Sequence, residues 1–217
     1  MKNHYEKIGN IIMKTRWRTL TKKLNIPHQE SKTIFTFMDS RYYHNWTHIF
    51  SSLTKYDNFV PNISSGANFE LAIWFHDLIY NTNEKLSAEY AGRLLKNFLV
   101  ETDIKEIQSL ILSTIQIDYT KIIIQGNVDP CLYHFMHDID FSGLGENWRN
   151  YHINSKNIRS EFYLLDNYDF YTARLKFLTS MSNIEIFATE TFRDTYELKA
   201  HENILNEIKI LETLREF

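Results

Sequence analysis

The chain has 217 residues, of which 43% are hydrophobic and 24% charged, a composition typical of a globular protein long enough to bury a core. Its net charge of -3 excludes the broad basic surface of a general nucleic-acid-binding protein. The single cysteine, Cys131, excludes an internal disulfide framework and suits a reducing compartment.

Location and fold class follow from what the sequence lacks. The N-terminal stretch MKNHYEKIGNIIMK has no sustained apolar run, and no stretch approaches the roughly 18 apolar residues of a membrane-spanning helix. We therefore expect a cytoplasmic protein with no membrane partner. Only 6 glycines and 3 prolines are present. Because turns between strands depend on these residues, their scarcity favours long helices.

Apolar residues recur at helical spacing along nearly the whole chain, which predicts an all-α protein. We predict helices over 5–24, 28–39, 45–59, 67–80, 83–100, 103–117, 130–141, 146–166, 171–180 and 184–215. Three starts have the spacing of a capping box, namely Asn81 with Glu84, Asp103 with Glu106, and Ser182 with Glu185. No repeat or composition shift marks a boundary. We predict one domain over 1–217, with a core at about 41–145 and helical extensions packed on it.

Histidine and aspartate residues concentrate in three parts of the chain. His44 and His48 lie four residues apart and share one face if that segment is helical. His76 and Asp77 are adjacent inside the apolar stretch WFHDLIY. The stretch HFMHDID adds four more such residues: His134, His137, Asp138 and Asp140.

The His76–Asp77 doublet raises an energetic question. Burying a carboxylate and an imidazole among apolar residues costs several kcal/mol unless a cation or a dense set of hydrogen bonds compensates. Imidazole and carboxylate are ligands of divalent metals such as Zn, Mn, Fe and Mg. The three segments are therefore candidates to converge on one ion.

Five ordered motifs resemble the HD superfamily of metal-dependent phosphohydrolases, and within it a group of bacterial proteins described only as predicted HD phosphohydrolases. The motifs are RYYHNWTHI (41–49), WFHDLIY (74–80), NEKLSA (83–88), DIDFSGLG (138–145) and IRSEFY (158–163). The similarity extends from about Trp17 to the C-terminal helix. It implies an all-helical HD-domain fold and a metal-dependent hydrolase.

The resemblance also implies a set of metal ligands. His48 matches the first histidine because an apolar run follows it, and His76 and Asp77 match the doublet. Asp140 is preferred as the last ligand, with Asp138 as the alternative. No histidine lies between Asp77 and His134, so we expect one divalent ion, which is Mn, Mg, Zn, Co, Ni or Fe. His134 and His137 are the candidates for a second ion, although we favour an ordinary interior or surface role for both.

Further roles are assigned on chemical grounds. Asp77 is a candidate to orient or deprotonate the attacking water, and His44 or Glu84 to protonate the leaving group. Phosphate or substrate binding is assigned to Arg41, Asn45, Arg159 and Arg174. Four of these residues have a structural alternative. Glu84 completes a capping box, His44 caps or hydrogen-bonds the first turn of its helix, Arg159 lies at the surface and Arg174 stabilises the fold.

These residues predict hydrolysis of a phosphomonoester or phosphodiester of a small molecule by a metal-activated water. A nucleotide substrate is expected from the resemblance alone. Two alternatives stay open: a non-catalytic, metal-containing ligand-binding or regulatory module, and an HD-fold diiron oxygenase. The oligomeric state is open as well, a homodimer included.

Overall fold

The computed structural model describes residues 4–27, 41–60, 66–80, 85–122 and 129–215. In these ranges all regular secondary structure is helical and no strand occurs, which confirms the prediction of an all-α, single-domain fold. The helices are α1 (His4–Lys23), α2 (Trp46–Phe59), α3 (Gly66–Phe75), α4 (Lys85–Leu95), α5 (Glu101–Ser113), α6 (Pro130–Phe141), α7 (Trp148–Glu161), α8 (Asn167–Ser182), α9 (Glu190–Phe192) and α10 (Leu198–Arg215). The predicted helix over 28–39 and the pair Asn81–Glu84 lie outside the described residues.

Helix α3 is the centre of the fold. Six of its ten residues are apolar and completely buried, and it packs against α2, α4, α5 and α6. A helix that is apolar on all sides must be surrounded by protein. Trp74 of α3 lies edge-on to Trp17 of α1, with 5.0 Å between ring centroids, and 6.0 Å from Trp46 of α2. The chain therefore delivers the residues that follow α3 into the interior.

Helix α1 ends in a backbone cap formed by the residues that follow Lys23. Asn25 has a positive φ of 55°, a conformation that asparagine tolerates better than most residues. The Ile26 amide donates to the Thr21 carbonyl at 2.9 Å and the Asn25 amide to the Lys22 carbonyl at 3.3 Å. These two bonds form a Schellman cap, which satisfies the last carbonyls of the helix.

The capping box predicted for Asp103 and Glu106 is wrong. Helix α5 begins at Glu101 rather than Asp103, and the Asn68 side-chain amide donates to both Asp103, at 3.2 Å, and Glu106, at 2.9 Å. A tertiary partner therefore takes both carboxylates that local spacing had assigned to a cap.

The predicted helix over 184–215 is wrong at its start. The segment after α8 is irregular until α9, and a π-helical turn (Arg193–Glu197) joins α9 to α10. The Ser182 hydroxyl donates back to the Thr179 carbonyl, and Glu185 accepts from Tyr119 and Arg193. The Ser182–Glu185 pair therefore caps no helix here.

Helices α7, α8 and α10 form a layer beside the 3-10 turn that follows α6, with α8 packed against α10 and the turn in contact with α7 and α10. Their shared buried group is the Glu207 carboxylate, which accepts two bonds of 3.0 Å from Arg174 and others from Tyr151 and Ser155. A 3-10 turn (Ser142–Gly145) connects α6 to this layer and packs against α10. At Gly145 a Cβ atom would approach the Tyr196 carbonyl oxygen to 2.7 Å, so only glycine permits that contact.

Among the described helices, none combines the length and apolar character that crossing a membrane requires.

Candidate metal centre

The His76–Asp77 doublet lies immediately after α3, not inside a helix that continues to residue 80. The His76 amide still donates to the Ala72 carbonyl at 2.9 Å, but the chain then turns. The guanidinium of Arg41 donates to the Asp77 carbonyl and, at 2.7 Å, to the Leu78 carbonyl. Arg41 thus satisfies the carbonyls of this turn, and the predicted helix is too long because that tertiary partner ends it.

His48 is positioned by the N-terminus of α2. The Asn45 side chain accepts from the Thr47 amide at 2.8 Å and caps the helix. Its side-chain nitrogen donates to the Arg41 and Tyr42 carbonyls. His48 therefore lies in the first helical turn, buried and facing the doublet. The same bonds hold Asn45, which had been assigned to substrate, on the backbone.

Asp138 and Asp140 of α6 face different parts of the protein, as residues two apart on a helix do. Asp138 is completely buried and accepts from the Ala188 amide at 2.7 Å, the Thr189 amide at 2.8 Å and the Thr189 hydroxyl at 2.6 Å. Burial raises the pKa of Asp138 to about 6, although these bonds oppose the shift. Asp140 faces His48 and His76 instead.

Four side chains converge on one point: His48, His76, Asp77 and Asp140. His76 Nε2 lies 3.1 Å from His48 Nε2, 3.0 Å from Asp77 Oδ2 and 3.3 Å from Asp140 Oδ1. His48 Nε2 lies 3.2 Å from Asp77 Oδ2 and 3.5 Å from Asp140 Oδ1. In the described part of the chain, this is the only group of histidine, cysteine and acidic residues with the spacing of a metal site.

These separations match those of ligands around one small cation. With bonds of about 2.1 Å, two ligand atoms lie about 3.0 Å apart at a right angle and about 3.4 Å apart at the tetrahedral angle. The five distances above fall between 3.0 and 3.5 Å. A single ion therefore fits among the four atoms.

The hydrogen bonds around the group favour a cation over protons alone. His76 Nδ1 lies 2.8 Å from the Ile73 carbonyl oxygen, which can only accept, so Nδ1 carries a proton and neutral His76 directs a lone pair from Nε2 into the group. Two protonated Nε2 atoms only 3.1 Å apart would repel each other. Asp77 Oδ2 is buried without a hydrogen-bond partner. A cation would use both the lone pairs and this oxygen.

The charges of the group also fit a divalent ion. Burial opposes the charged form of each residue, but the neighbouring carboxylates outweigh it for the imidazoles and raise the pKa values of His48 and His76. In return the imidazoles lower the pKa of Asp77 well below its usual value and that of Asp140 to about 2. The two carboxylates therefore favour two positive charges among the four residues. One divalent cation supplies the same charge while leaving both imidazoles neutral, as metal binding requires.

His44 adjoins the centre and is bound to Glu161. Its Nδ1 lies 2.5 Å from Glu161 Oε2, and Glu161 Oε1 accepts from the amides of Tyr43, at 2.6 Å, and His44, at 3.0 Å. The His44 ring is 3.7 Å from the Tyr80 ring and 5.8 Å from the His48 ring, measured between centroids. Glu161 therefore orients His44 through one ring nitrogen and leaves Nε2 as the nitrogen that can serve a ligand.

The remaining predicted residues lie outside the four-residue group. The Arg159 side chain donates to the Phe162 and Leu165 carbonyls and to Asn167, so it stabilises the α7–α8 connection. His137 is buried, with Nε2 3.1 Å from the Ile186 carbonyl oxygen and its ring stacked on Phe141. His134 lies beside Tyr119. Glu84 is outside the described residues.

A cavity of about 340 Å³ opens beside the centre between α7 and α8. Asp140 and His44 are among its lining residues, together with Tyr43, Tyr80 and Arg174. Tyr43 is packed closely there, since a Cβ atom at Gly143 would lie 2.8 Å from its hydroxyl oxygen. This volume is within the range of small-molecule sites, about 300–1,000 Å³. A ligand in the cavity would therefore be next to both Asp140, a candidate metal ligand, and the imidazole of His44.

Sequence reasoning did not assign a role to Glu161 or Tyr80, although both lie within motifs. Glu161 is 117 residues from His44, and no local spacing reports a contact at that separation. Comparisons of the chain with protein-family models, curated proteins and solved structures found no match.

Proposed function

We propose that this protein is a metal-dependent phosphohydrolase that cleaves a phosphomonoester or phosphodiester of a small molecule. The supporting observation is the group of two imidazoles and two carboxylates, with ligand-atom separations suited to one divalent ion, beside a cavity that also contains His44. When bound, such an ion lowers the pKa of a water and polarises a phosphoryl oxygen. The proposal also agrees with the resemblance to the HD superfamily.

The protein's own residues would move the protons of the reaction. The oxygen of water forms a bond to phosphorus while the ester P–O bond breaks. Asp77 is the carboxylate that would orient this water and accept its proton, through the oxygen that does not bind the ion. His44, held at Nδ1 by Glu161, donates a proton from Nε2 to the departing oxygen, so the products are a phosphate and a neutral alcohol.

The three arginines that were expected to bind phosphate are already engaged in the fold. The Arg41 and Arg159 side chains already donate to backbone carbonyls, and Arg174 forms a two-bond pair with Glu207. His44, together with a bound cation, would therefore offset most of the charge on the phosphoryl oxygens. A nucleotide substrate stays a prediction from the resemblance.

The test is a metal-reconstitution assay. The purified protein is stripped with a chelator, reloaded separately with Mn, Co, Ni, Mg, Zn or Fe, and assayed with p-nitrophenyl phosphate, bis(p-nitrophenyl) phosphate and nucleotides. At least one metal should restore turnover. His76→Ala and Asp77→Ala should each lose metal binding and at least about 100-fold in kcat/KM, because losing even an outer partner of a ligand costs roughly 10–100-fold.

His134→Ala is the matched control, since this histidine lies outside the four-residue group. It should bind metal and turn over substrate like the unaltered protein. Inactivity with every metal, or full activity of the His76→Ala variant, would overturn the proposal. Copurification of two irons per chain, with oxidation of a substrate by dioxygen, would instead favour the oxygenase alternative.

A further inference from the structure

A series of neighbouring aromatic rings, beginning at His44, lines the cavity beside the candidate metal centre. A row of aromatic rings leads away from His44: its ring lies 3.7 Å from Tyr80, Tyr80 lies 5.8 Å from Phe162, and Phe162 lies 5.6 Å from Phe170, all between centroids. All four residues line the cavity. A molecule with its phosphate at the metal would therefore place its organic part along these rings.

Much of the cavity lining is apolar. It includes Ile158, Phe162, Leu165, Phe170, Ala173 and Phe177. Three of the polar side chains that line the cavity are already engaged, because Arg174, Tyr151 and Ser155 all donate to Glu207, and Asn154 is the one side-chain amide among the lining residues. Glu207 receives four bonds in all, so its charge is both paired and solvated by protein.

Apolar lining residues offer no hydrogen-bond partners to a nucleoside. Ribose hydroxyls and the edges of a base lose their water on binding and need protein partners in return. An apolar group needs none, and aromatic side chains offer it large contact surfaces. The apolar part of the lining therefore suits an apolar group better than a nucleoside.

We propose that the cavity binds an apolar organic group of the substrate, an aryl ring or a compact alkyl group, joined directly to the phosphate at the metal centre. This inference rests on the proposed function for the position of the phosphate. It narrows the substrate class to phosphate esters of phenols and apolar alcohols. The Arg159 bonds to the Phe162 and Leu165 carbonyls hold the α7–α8 connection in place, so this wall exists before the ligand binds.

The test compares 1-naphthyl phosphate, methyl phosphate and adenosine 5′-monophosphate on the metal-loaded protein. Binding is measured by isothermal titration calorimetry and turnover by phosphate release. 1-Naphthyl phosphate should bind at least about 10-fold more tightly than methyl phosphate, since even one methylene in an apolar pocket changes specificity by roughly 10–200-fold.

A pair of adjacent variants tests the location. Both residues are exposed, but only Ala173 lines the cavity, so Ala173→Phe adds a ring at the cavity and Thr172→Phe adds the same ring away from it. The first should remove the advantage of 1-naphthyl phosphate and leave methyl phosphate and metal affinity unchanged. The second should change none of these. Melting temperatures establish that both variants are folded.

The outcomes separate this inference from the proposed function. Tight 1-naphthyl phosphate binding that Ala173→Phe removes, without turnover by any metal form, would support the cavity assignment and refute the hydrolase. Turnover with equal affinities for naphthyl and methyl phosphate, or an Ala173→Phe variant that binds normally, would refute the cavity assignment and leave the hydrolase standing. Tighter binding of adenosine 5′-monophosphate than of 1-naphthyl phosphate would also refute it.

Discussion

The two aspartates of α6 should respond in opposite ways to the same substitution. Asp138→Asn and Asp140→Asn each replace one carboxylate oxygen with an NH2 group, two residues apart on one helix. Asp138 holds the segment before α9 through two amides and a hydroxyl, whereas Asp140 faces the imidazoles of the metal centre. We expect the first substitution to lower the stability of the fold and the second to lower metal affinity.

The magnitude for Asp138→Asn follows from its hydrogen bonds. The amide keeps one oxygen for the Ala188 amide, but its NH2 group then opposes the Thr189 amide, which becomes a buried donor without an acceptor. One such group costs about 1–3 kcal/mol, and the lost charge weakens the bonds that persist. We expect the free energy of unfolding to fall by roughly 2–4 kcal/mol, with metal affinity within about threefold of the unaltered protein.

Asp140→Asn should reduce metal affinity by at least about 100-fold, because removing a direct ligand costs more than the roughly 10–100-fold of an outer partner. Unfolding is followed in urea by the fluorescence of the buried tryptophans with chelator present, and metal affinity by calorimetry. A stable Asp138→Asn variant that no longer binds metal, or an Asp140→Asn variant that binds normally, would refute this assignment.

Two further substitutions test the interior. Glu207→Gln should lower the free energy of unfolding by about 3–5 kcal/mol, because it leaves the buried Arg174 guanidinium without its charge partner. The control is Glu202→Gln, which breaks the half-exposed pair with Lys199 on the same helix. This control should change the free energy of unfolding by less than about 1 kcal/mol in the same urea titration. Burial lowers the pKa of His137. Below about pH 6.5 this histidine therefore binds a proton in the unfolded chain but not in the folded protein. The free energy of unfolding falls as the pH drops toward the pKa of the folded state. The stability of a His137→Phe variant should therefore depend less on pH between about 7 and 5, and an identical pH profile for both proteins would contradict this account.

Helical periodicity was sufficient to predict the fold class and most helix positions. The apolar residues of α2, α5 and α6 recur at a spacing that only helices can bury on one face. The cluster of histidine and aspartate was recognisable for a similar reason, because a buried His76–Asp77 doublet is costly without compensation. These features depend on residues close together in the chain, so the order of amino acids already contains them.

Helix ends and partner choice depended on contacts distant in sequence. α3 stops before His76 where Arg41 meets the Asp77 and Leu78 carbonyls, and Asp103 and Glu106 accept from Asn68 instead of forming a cap. Local rules favour the nearest partner, but a buried polar group bonds to whichever partner packing brings within reach. That competition is resolved only when the helices assemble.

The same distinction applies to the candidate site. Residue types and motifs pointed to His48, His76 and Asp77, yet the choice between Asp138 and Asp140 depends on which face of α6 meets the segment before α9 and which meets α2. The pairing of His44 with Glu161 and the apolar lining of the cavity arise between helices far apart in the chain. Ligand chemistry is thus a property of individual side chains, whereas their convergence is a property of the packed core.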